Sequence, residues 1–450
     1  MDATFIDRVN EIRVLEDWWN SGKPHFIVVY GRRRVGKTRL LKEFLRNKLH
    51  IYYLCHLTSH DVNLSRLVEK TGRVLGLKGL EKTRFNALND FLELLSTIVE
   101  DRLIIVLDEF TYWVRVSPQV LSELQQFIDE KLMQTRFMII VCGSLVGIMH
   151  REVVGGGSPL YGRRTGTLKV EELEPWYVKD FLPNYSKVDR VKVYSLVGGI
   201  PFYLQLFDRN ISPNQNILNL FVKKISPIYN EVDFLLREEF RAPQVYISIL
   251  SAIARGENTP QKISNIVGID RSHISKYLKV LLDLNLVQKI IPLWSKKGYY
   301  RVRDKLVNTW FKLVEPVLDE IESENIDIAY QKILDKIDIH VSQIFEELVL
   351  KYLLYLRRIG KLRFTEIGKY LHKGVEIDYI ALDEEMRKAY LIEVKWRDLK
   401  KQDIERISRQ LDQKAPYNLL EKYQIDKIIV ARNAPKNREI KTYTLKEIPI

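Results

Sequence analysis

Between residues 24 and 170 short apolar, β-branched runs (HFIVVYG, HIYYLCHL, LIIVLDEF, RFMIIVCGS) alternate with segments whose apolar positions recur every three or four residues (KTRLLKEFLRNKL, ALNDFLELLSTIVEDR, VLSELQQFIDEKLM). Strands that are apolar throughout, separated by amphipathic helices, predict βαβ units around a parallel sheet covered on both faces. From about residue 171 the pattern turns helical: EPWYVKDFL opens a helix behind Pro175, and NQNILNLFVKKISPIYNEVDFLLREEF closes the section without an evident strand. Residues 243–303 then read as three helices, PQVYISILSAIARG, TPQKISNIVG and DRSHISKYLKVLLDLN, followed by two strands around a basic turn in QKIIPLWSKKGYYRV. Three helices and a hairpin make a winged-helix pattern. A helical connector to about residue 335 precedes a last segment with the helix VSQIFEELVLKYLLYLRR, strands, and a final helix DIERISRQLDQKAPYN.

The expected layout is therefore α/β and multidomain: a nucleotide-binding core over 1–170, a helical lid over 171–238, a winged helix over 239–318, and a C-terminal α/β domain with its connector over 319–450. A chain of 450 residues is long enough for two to four such units. Its net charge of +13 points to a polyanionic partner, nucleic acid first. Cys55 and Cys142, the only cysteines, form neither a disulfide framework nor a metal knuckle, which suits a reducing compartment. No apolar run approaches the roughly 20 residues of a membrane span, and the start MDATFIDRVNE is not signal-like, so a cytoplasmic protein with no membrane partner is expected.

Gly31-Arg32-Arg33-Arg34-Val35-Gly36-Lys37-Thr38 fits G-x-x-x-x-G-K-[ST], after an apolar strand and at the start of the helix that continues through Arg39. Such a loop wraps backbone N–H groups around the phosphates of ATP, Lys37 supplies a point charge, and the Thr38 hydroxyl ligates Mg²⁺. LIIVLDEF delivers Asp108 to the same Mg²⁺, and Glu109 is placed to orient and deprotonate the attacking water. Ser144, ending RFMIIVCGS, reads either as a γ-phosphate sensor or as turn chemistry. Arg163 and Arg164 in LYGRRTG read either as charge-neutralising residues, in cis or on a neighbouring subunit of a homo-oligomer, or as a basic loop.

With Phe5-Ile6-Asp7-Arg8 and Glu11 ahead of the loop, VVYGRRRVGKT, IIVLDEF, Gly143-Ser144, LYGRRTG and Gly198-Gly199-Ile200-Pro201 in this order, the chain resembles the archaeal ATPases of the AAA+/STAND class. The resemblance implies that Arg8 and Pro201 flank the adenine; the residues alone make Arg8 a surface residue and GGIP a helix-breaking turn.

Residues 243–303 hold ten Lys/Arg against three acids. In DRSHISKYLKVLLDLN the stripe Ile274, Leu278, Leu281 and Leu282 leaves Arg271, Ser272, Ser275, Lys276 and Lys279 facing outward, as on a recognition helix for double-stranded DNA, with Lys296 and Lys297 tipping the wing. The competing reading is a regulatory or packing module.

In VEIDYIAL and AYLIEVKW, alternation puts Glu393 and Lys395 on one face, and pairing through DEEMRK would bring Asp378 to them. Two carboxylates and an ammonium are the parts of a metal-assisted hydrolytic site; the plain alternative is a charged hairpin. The D-x14-E-x-K spacing after the helix QIFEE resembles the PD-(D/E)xK restriction-endonuclease superfamily, with Ile377 where the motif has Pro. The resemblance implies a metal-proximal Glu346 and a polar contribution from Gln410. The expected protein is thus an ATP- and Mg²⁺-dependent ATPase that binds DNA and carries a nuclease-like domain. Its rival is a slow nucleotide-switched scaffold or signalling ATPase whose nuclease-like domain only binds.

Overall fold

The computed structural model describes residues 5–240 and 242–450. They fall into two compact units: one runs to Leu173 and includes Ile200–Phe202, and the other comprises Glu174–Gly199 and Tyr203–Ile450.

In the first unit β1 (His25–Tyr30), β2 (His50–Leu54), β3 (Leu103–Asp108), β4 (Phe137–Gly143) and β5 (Gly166–Lys169) form an all-parallel sheet in the order β2-β3-β4-β1-β5. Helices α1 (Val9–Asn20) and α2 (Lys37–Phe44) pack Leu15, Leu40, Leu41 and Phe44 against Ile27, Val29, Ile104 and Ile140 on one face. Helices α3 (His60–Leu75), α4 (Leu88–Ile98), α5 (Phe110–Val116) and α6 (Val120–Glu130) bury Leu64, Leu67, Phe91, Trp113, Leu124 and Phe127 on the other. Both faces being covered explains why the central strands are apolar throughout. The edge strand β5 has only half-buried and exposed residues, so it lacks that signature; Arg163 and Arg164 lie on the loop just ahead of it, as expected.

The second unit begins with the segment expected as a lid, including α7 (Lys187–Val197) and α8 (Glu231–Glu239). Its buried contacts run to later helices: Thr309 Oγ1 donates to Leu196 O at 2.9 Å, and His340 Nε2 lies 2.9 Å from Ser195 O. Helices α9 (Pro243–Ala254), α10 (Pro260–Val267) and α11 (Arg271–Asp283) precede the hairpin β6 (Val287–Ile290) and β7 (Tyr299–Val302), the winged-helix order. Local chemistry sets these boundaries. Pro243 and Pro260 occupy first turns, the Thr259 hydroxyl and Asp270 carboxylate cap α10 and α11, and Gly268 ends α10 at φ +73°.

After α12 (Lys305–Thr309), the expected connector and the helix at 341–358 are one helix, α13 (Ile326–Arg358), of 33 residues and about 50 Å. It lies on one face of a mixed sheet ordered β12-β11-β10-β9-β8, where β8 is Glu366–His372, β9 Val375–Asp383, β10 Lys388–Asp398, β11 Gln424–Asn433 and β12 Lys441–Thr444. The Phe345 and Trp396 rings meet at 5.0 Å on that face. Helix α14 (Lys401–Lys414) buries Ile404, Ile407 and Leu411 against Ala389, Leu391 and Ile429 on the other. The helix expected to be final is therefore followed by two strands, which extend the sheet parallel to β10. No helix among the described residues is long and apolar enough to cross a membrane.

Candidate functional site

Strand order builds the first site. Because β4 lies between β1 and β3, the ends of all three strands converge, as they do at ligand crevices of open α/β sheets. Gly31 leaves β1 so close to β5 that an added Cβ would sit 2.2 Å from Val170 O. Arg34 at φ 70° and Gly36 at φ +97° turn the loop into α2. Lys37 is 5% exposed, and its Nζ donates to Gly31 O at 2.9 Å and Arg32 O at 3.0 Å. A buried ammonium satisfied by neutral carbonyls alone is a strong acceptor of phosphate charge.

Thr38 Oγ1 donates to Asp108 Oδ2 at 2.8 Å, so the two expected Mg²⁺ ligands meet. The Tyr52 hydroxyl donates to the same oxygen, and Glu109 N donates to Asp108 Oδ1 at 3.0 Å. Burial first, then the Asp108 charge, pushes the Tyr52 phenol well above its usual range, keeping it a neutral donor. A hydroxyl beside a carboxylate is a hard-oxygen pair that fits Mg²⁺ completed by phosphates and water. Glu109 stands in the left-handed region at φ 51°, and its Oε2 accepts from Ser144 N at 3.1 Å and Ser144 Oγ at 2.7 Å. Ser144 thus holds the candidate base, a pairing that requires knowing β3 and β4 are neighbours.

Arg8 is buried rather than on the surface. It pairs with Glu11 at 2.8 Å and donates to Val35 O at 2.9 Å and Glu171 O at 2.7 Å, clamping the phosphate loop to the chain after β5. Pro201 Cγ lies 4.0 Å from where a Gly36 Cβ would stand, and the Arg34 guanidinium sits 4.2 Å above the Phe202 ring. Pro201 and Phe202 therefore lie against the loop. Arg32 and Arg33 are half-buried on the loop, and Arg39 is exposed on α2. Arg163 grips Asp129 of α6 at 2.7 and 2.9 Å, and Arg164 donates to Thr167 at 3.3 Å. Both contacts are local to β5 and α6.

In the second unit β9 and β10 pair antiparallel, and Asp378 Oδ2 accepts from Val394 N at 2.7 Å. Lys395 Nζ donates to Glu393 Oε1 at 2.6 Å, Lys414 of α14 approaches the same oxygen at 3.9 Å, and the buried Glu393 Oε2 has no partner. Burial, then Glu393 and then Glu346, push the Asp378 carboxyl up to about 7. An orphaned carboxylate oxygen beside an acid that resists ionisation suits a divalent cation. Glu346 is drawn away to Lys369 at 2.5 Å, a lysine 5% exposed on β8 that needs a counter-ion, with Arg301 at 3.7 Å. Among the described residues no group of three or more His, Cys, Asp or Glu is arranged to hold a metal. Gln410 is exposed on α14, one turn before Lys414.

Arg271, Ser272, Ser275, Lys276 and Lys279 are all exposed on α11, as are Lys296 and Lys297 on the wing. The Ser272 hydroxyl is engaged by its cap, Asp270, at 2.6 Å. The root of the wing is docked: Leu293 N donates to Lys369 O of β8 at 2.7 Å, and the Trp294 and Tyr370 rings meet at 6.1 Å.

Residues 5–207 match a family described as an ATPase domain predominantly from Archaea, and residues 247–289 match the arsR family of bacterial regulatory proteins. Residues 310–407 match a family of archaeal and bacterial proteins of unknown function. An uncharacterized ATP-binding protein of Methanocaldococcus jannaschii, MJ0423, is 54% identical over 44 residues, covering 10% of this chain and 75% of its own. The Walker-type ATPase paby2304 of Pyrococcus abyssi shares the fold at 22% identity and a TM-score of 0.52, over 68% of this chain and 96% of its own. The uncharacterized protein MJECL04 of Methanocaldococcus jannaschii is 34% identical over 427 residues, covering 93% of this chain and 94% of its own. The chain belongs to the family of that protein, with an ATPase domain of a kind found predominantly in Archaea ahead of a winged-helix-like region.

Proposed function

We propose that the chain is a Mg²⁺-dependent ATP hydrolase that binds double-stranded DNA through α11 and cleaves it with a restriction-endonuclease-like C-terminal domain. One observation carries the cleavage reading: Asp378, Glu393 and Lys395 lie together at the β9–β10 pair, with a buried carboxylate oxygen left without a partner. The sheet between α13 and α14 supports the same reading.

At the phosphate loop Thr38 and Asp108 would hold Mg²⁺, which supplies Lewis acidity to the phosphoryl oxygens. Lys37 binds the β/γ-phosphates, backbone N–H groups of Gly31–Thr38 cradle them, and Glu109 takes the proton of the attacking water. Arg164 fits the charge-neutralising role better than Arg163, whose guanidinium would first have to leave Asp129. At the second site Asp378 and Glu393 would hold a divalent metal that polarises a phosphodiester, and Lys395 orients the water. Arg8 and Pro201 shape the loop's flank, so their effect on the adenine is through position.

Supercoiled plasmid with Mg²⁺ or Mn²⁺ tests the cleavage reading. Wild-type chain is expected to nick it, and Lys395→Ala to reduce nicking at least 100-fold; absence of nicking by wild type defeats cleavage. A second reading, a domain that grips DNA without cutting, is favoured by the diversion of Glu346 to Lys369.

For the DNA contacts, exposure of Lys276 and Lys279 on one helix predicts a purely electrostatic share of binding. In anisotropy titrations with duplex DNA, replacing both with Ala is expected to reduce the log–log salt slope by about 2. An unchanged slope would remove α11 from the interface.

A further inference from the structure

The second unit contains a cavity of about 420 Å³ that neither candidate site uses. Its wall joins the C-terminal end of α9, strand β7 and α13, bringing the base of the winged helix against the long helix. Arg255, Arg301, Lys312 and Lys336 line it, against one carboxylate, Glu347. That carboxylate already serves Lys305. Arg301 stands 3.7 Å from Glu346, which is held more closely by Lys369, and Lys312 Nζ donates only to the neutral Gln343 amide oxygen. Arg255 is matched by Glu315 at 2.8 Å, so the cationic charge left short of a carboxylate centres on Arg301 and Lys312.

His340 gives the cavity a second requirement. The side chain is 2% exposed, and because a carbonyl oxygen can only accept, its Nε2 is the protonated nitrogen, donating to Ser195 O at 2.9 Å. Nδ1 is then an acceptor, and it is buried without a partner. Ile253, Leu313 and Ile344 supply apolar wall between the two polar ends. An occupant must bring negative charge at one end, an N–H or O–H donor at the other, and an apolar body, within a volume ordinary for small-ligand sites.

We propose that this cavity is a binding site for a nucleoside 5′-monophosphate, with the phosphate on Arg301 and Lys312 and a base or ribose donor on His340 Nδ1. Occupancy bridges the winged helix and α13, so the ligand would be an effector of the second unit. Desolvation, then Arg301, lowers the Lys312 ammonium to about 8, while Glu347 and Glu346 act the other way. Raising the pH from 7 to 9 is then expected to weaken binding about tenfold.

The test is calorimetric titration of the full chain with AMP, GMP, CMP and UMP, the phosphate loop being saturated beforehand with Mg²⁺ and a non-hydrolysable ATP analogue. Saturable one-to-one binding of at least one of them is expected, reduced more than tenfold in Lys312→Gln. Ile339 is 67% exposed and also lines the cavity, so Ile339→Trp obstructs the site without disturbing the core and is expected to do the same. No binding of any of the four, inorganic phosphate binding as tightly as the nucleotides, or binding unaffected by Ile339→Trp would each overturn the proposal. Loss of DNA nicking in Lys395→Ala bears only on the other site, so the two readings fail independently.

Discussion

Glu109→Gln is expected to bind ATP as the wild type does and to hydrolyse it 10²–10⁴-fold more slowly, about 3–5 kcal/mol on the barrier. The prediction rests on what the change leaves intact. Asp108 keeps its hydrogen bonds from Thr38 and Tyr52, and Lys37 remains on the loop, so the groups that would hold the phosphates and Mg²⁺ are untouched. The glutamine oxygen still accepts from Ser144 N and Oγ, which hold the carboxylate at 3.1 and 2.7 Å, so the side chain keeps its place. What is lost is a group able to take the water's proton. The backbone at φ 51° supports a functional reading, because a non-glycine residue in that region is strained by about 1–3 kcal/mol and persists where the surroundings enforce it. Steady-state turnover alongside equilibrium binding of labelled ATP measures both halves. Turnover above a tenth of wild type would remove Glu109 from the role of base.

The parts of this site that lie within one strand–loop–helix segment were legible in the sequence, and those set by strand order were not. The phosphate loop, Asp108 and the four apolar strands follow from spacing and burial along single segments. The hold of Ser144 on Glu109 and of Tyr52 on Asp108 depends on which strands are neighbours, which periodicity does not encode. Burial of Arg8 likewise comes from carbonyls at Val35 and Glu171, the second 163 residues away. In the second unit the helical stripe continues through Ile333, Ile337, His340, Val341 and Ile344, and the polar His340 at a core position hides the continuity of α13. Lys296 and Lys297 are exposed as expected, but the docking of Leu293 onto β8 depends on Gly368, where a Cβ would stand 2.9 Å from Leu293 Cγ. Glu346 lies on the helix that the periodicity predicts, but its partner is not legible there, since Lys369 becomes a buried cation only once β8 is in the sheet. Lys414 carries no signal along α14, since only the fold brings its ammonium within 3.9 Å of Glu393.

Asp378→Asn is expected to make the metal-free chain more resistant to unfolding at pH 8 while abolishing the part of its response to divalent metal that arises at the second site. Burial and the Glu393 charge raise the Asp378 carboxyl to about 7 from an ordinary value near 3.8. Between those values the folded chain binds more protons than the unfolded one, so this group's contribution to stability is full below about pH 4. It is lost as pH rises through 7. Above pH 7 the fold retains an ionised Asp378 beside Glu393, and a neutral asparagine, whose amide oxygen can still accept from Val394 N, relieves a repulsion on the order of 1–3 kcal/mol. The variant should therefore unfold a few degrees higher than wild type at pH 8 in EDTA, and the two should converge by pH 4. Mn²⁺ reverses the order at pH 8. By mass action a metal at 100 times its dissociation constant stabilises wild type by about 2.7 kcal/mol, whereas the variant lacks one of the two carboxylates that would hold it. Any metal bound between Thr38 and Asp108 acts equally on both chains, so the difference between them isolates the second site. An asparagine variant less stable than wild type at pH 8 in EDTA, or an equal Mn²⁺ shift in both, would reduce Asp378, Glu393 and Lys395 to a charged hairpin.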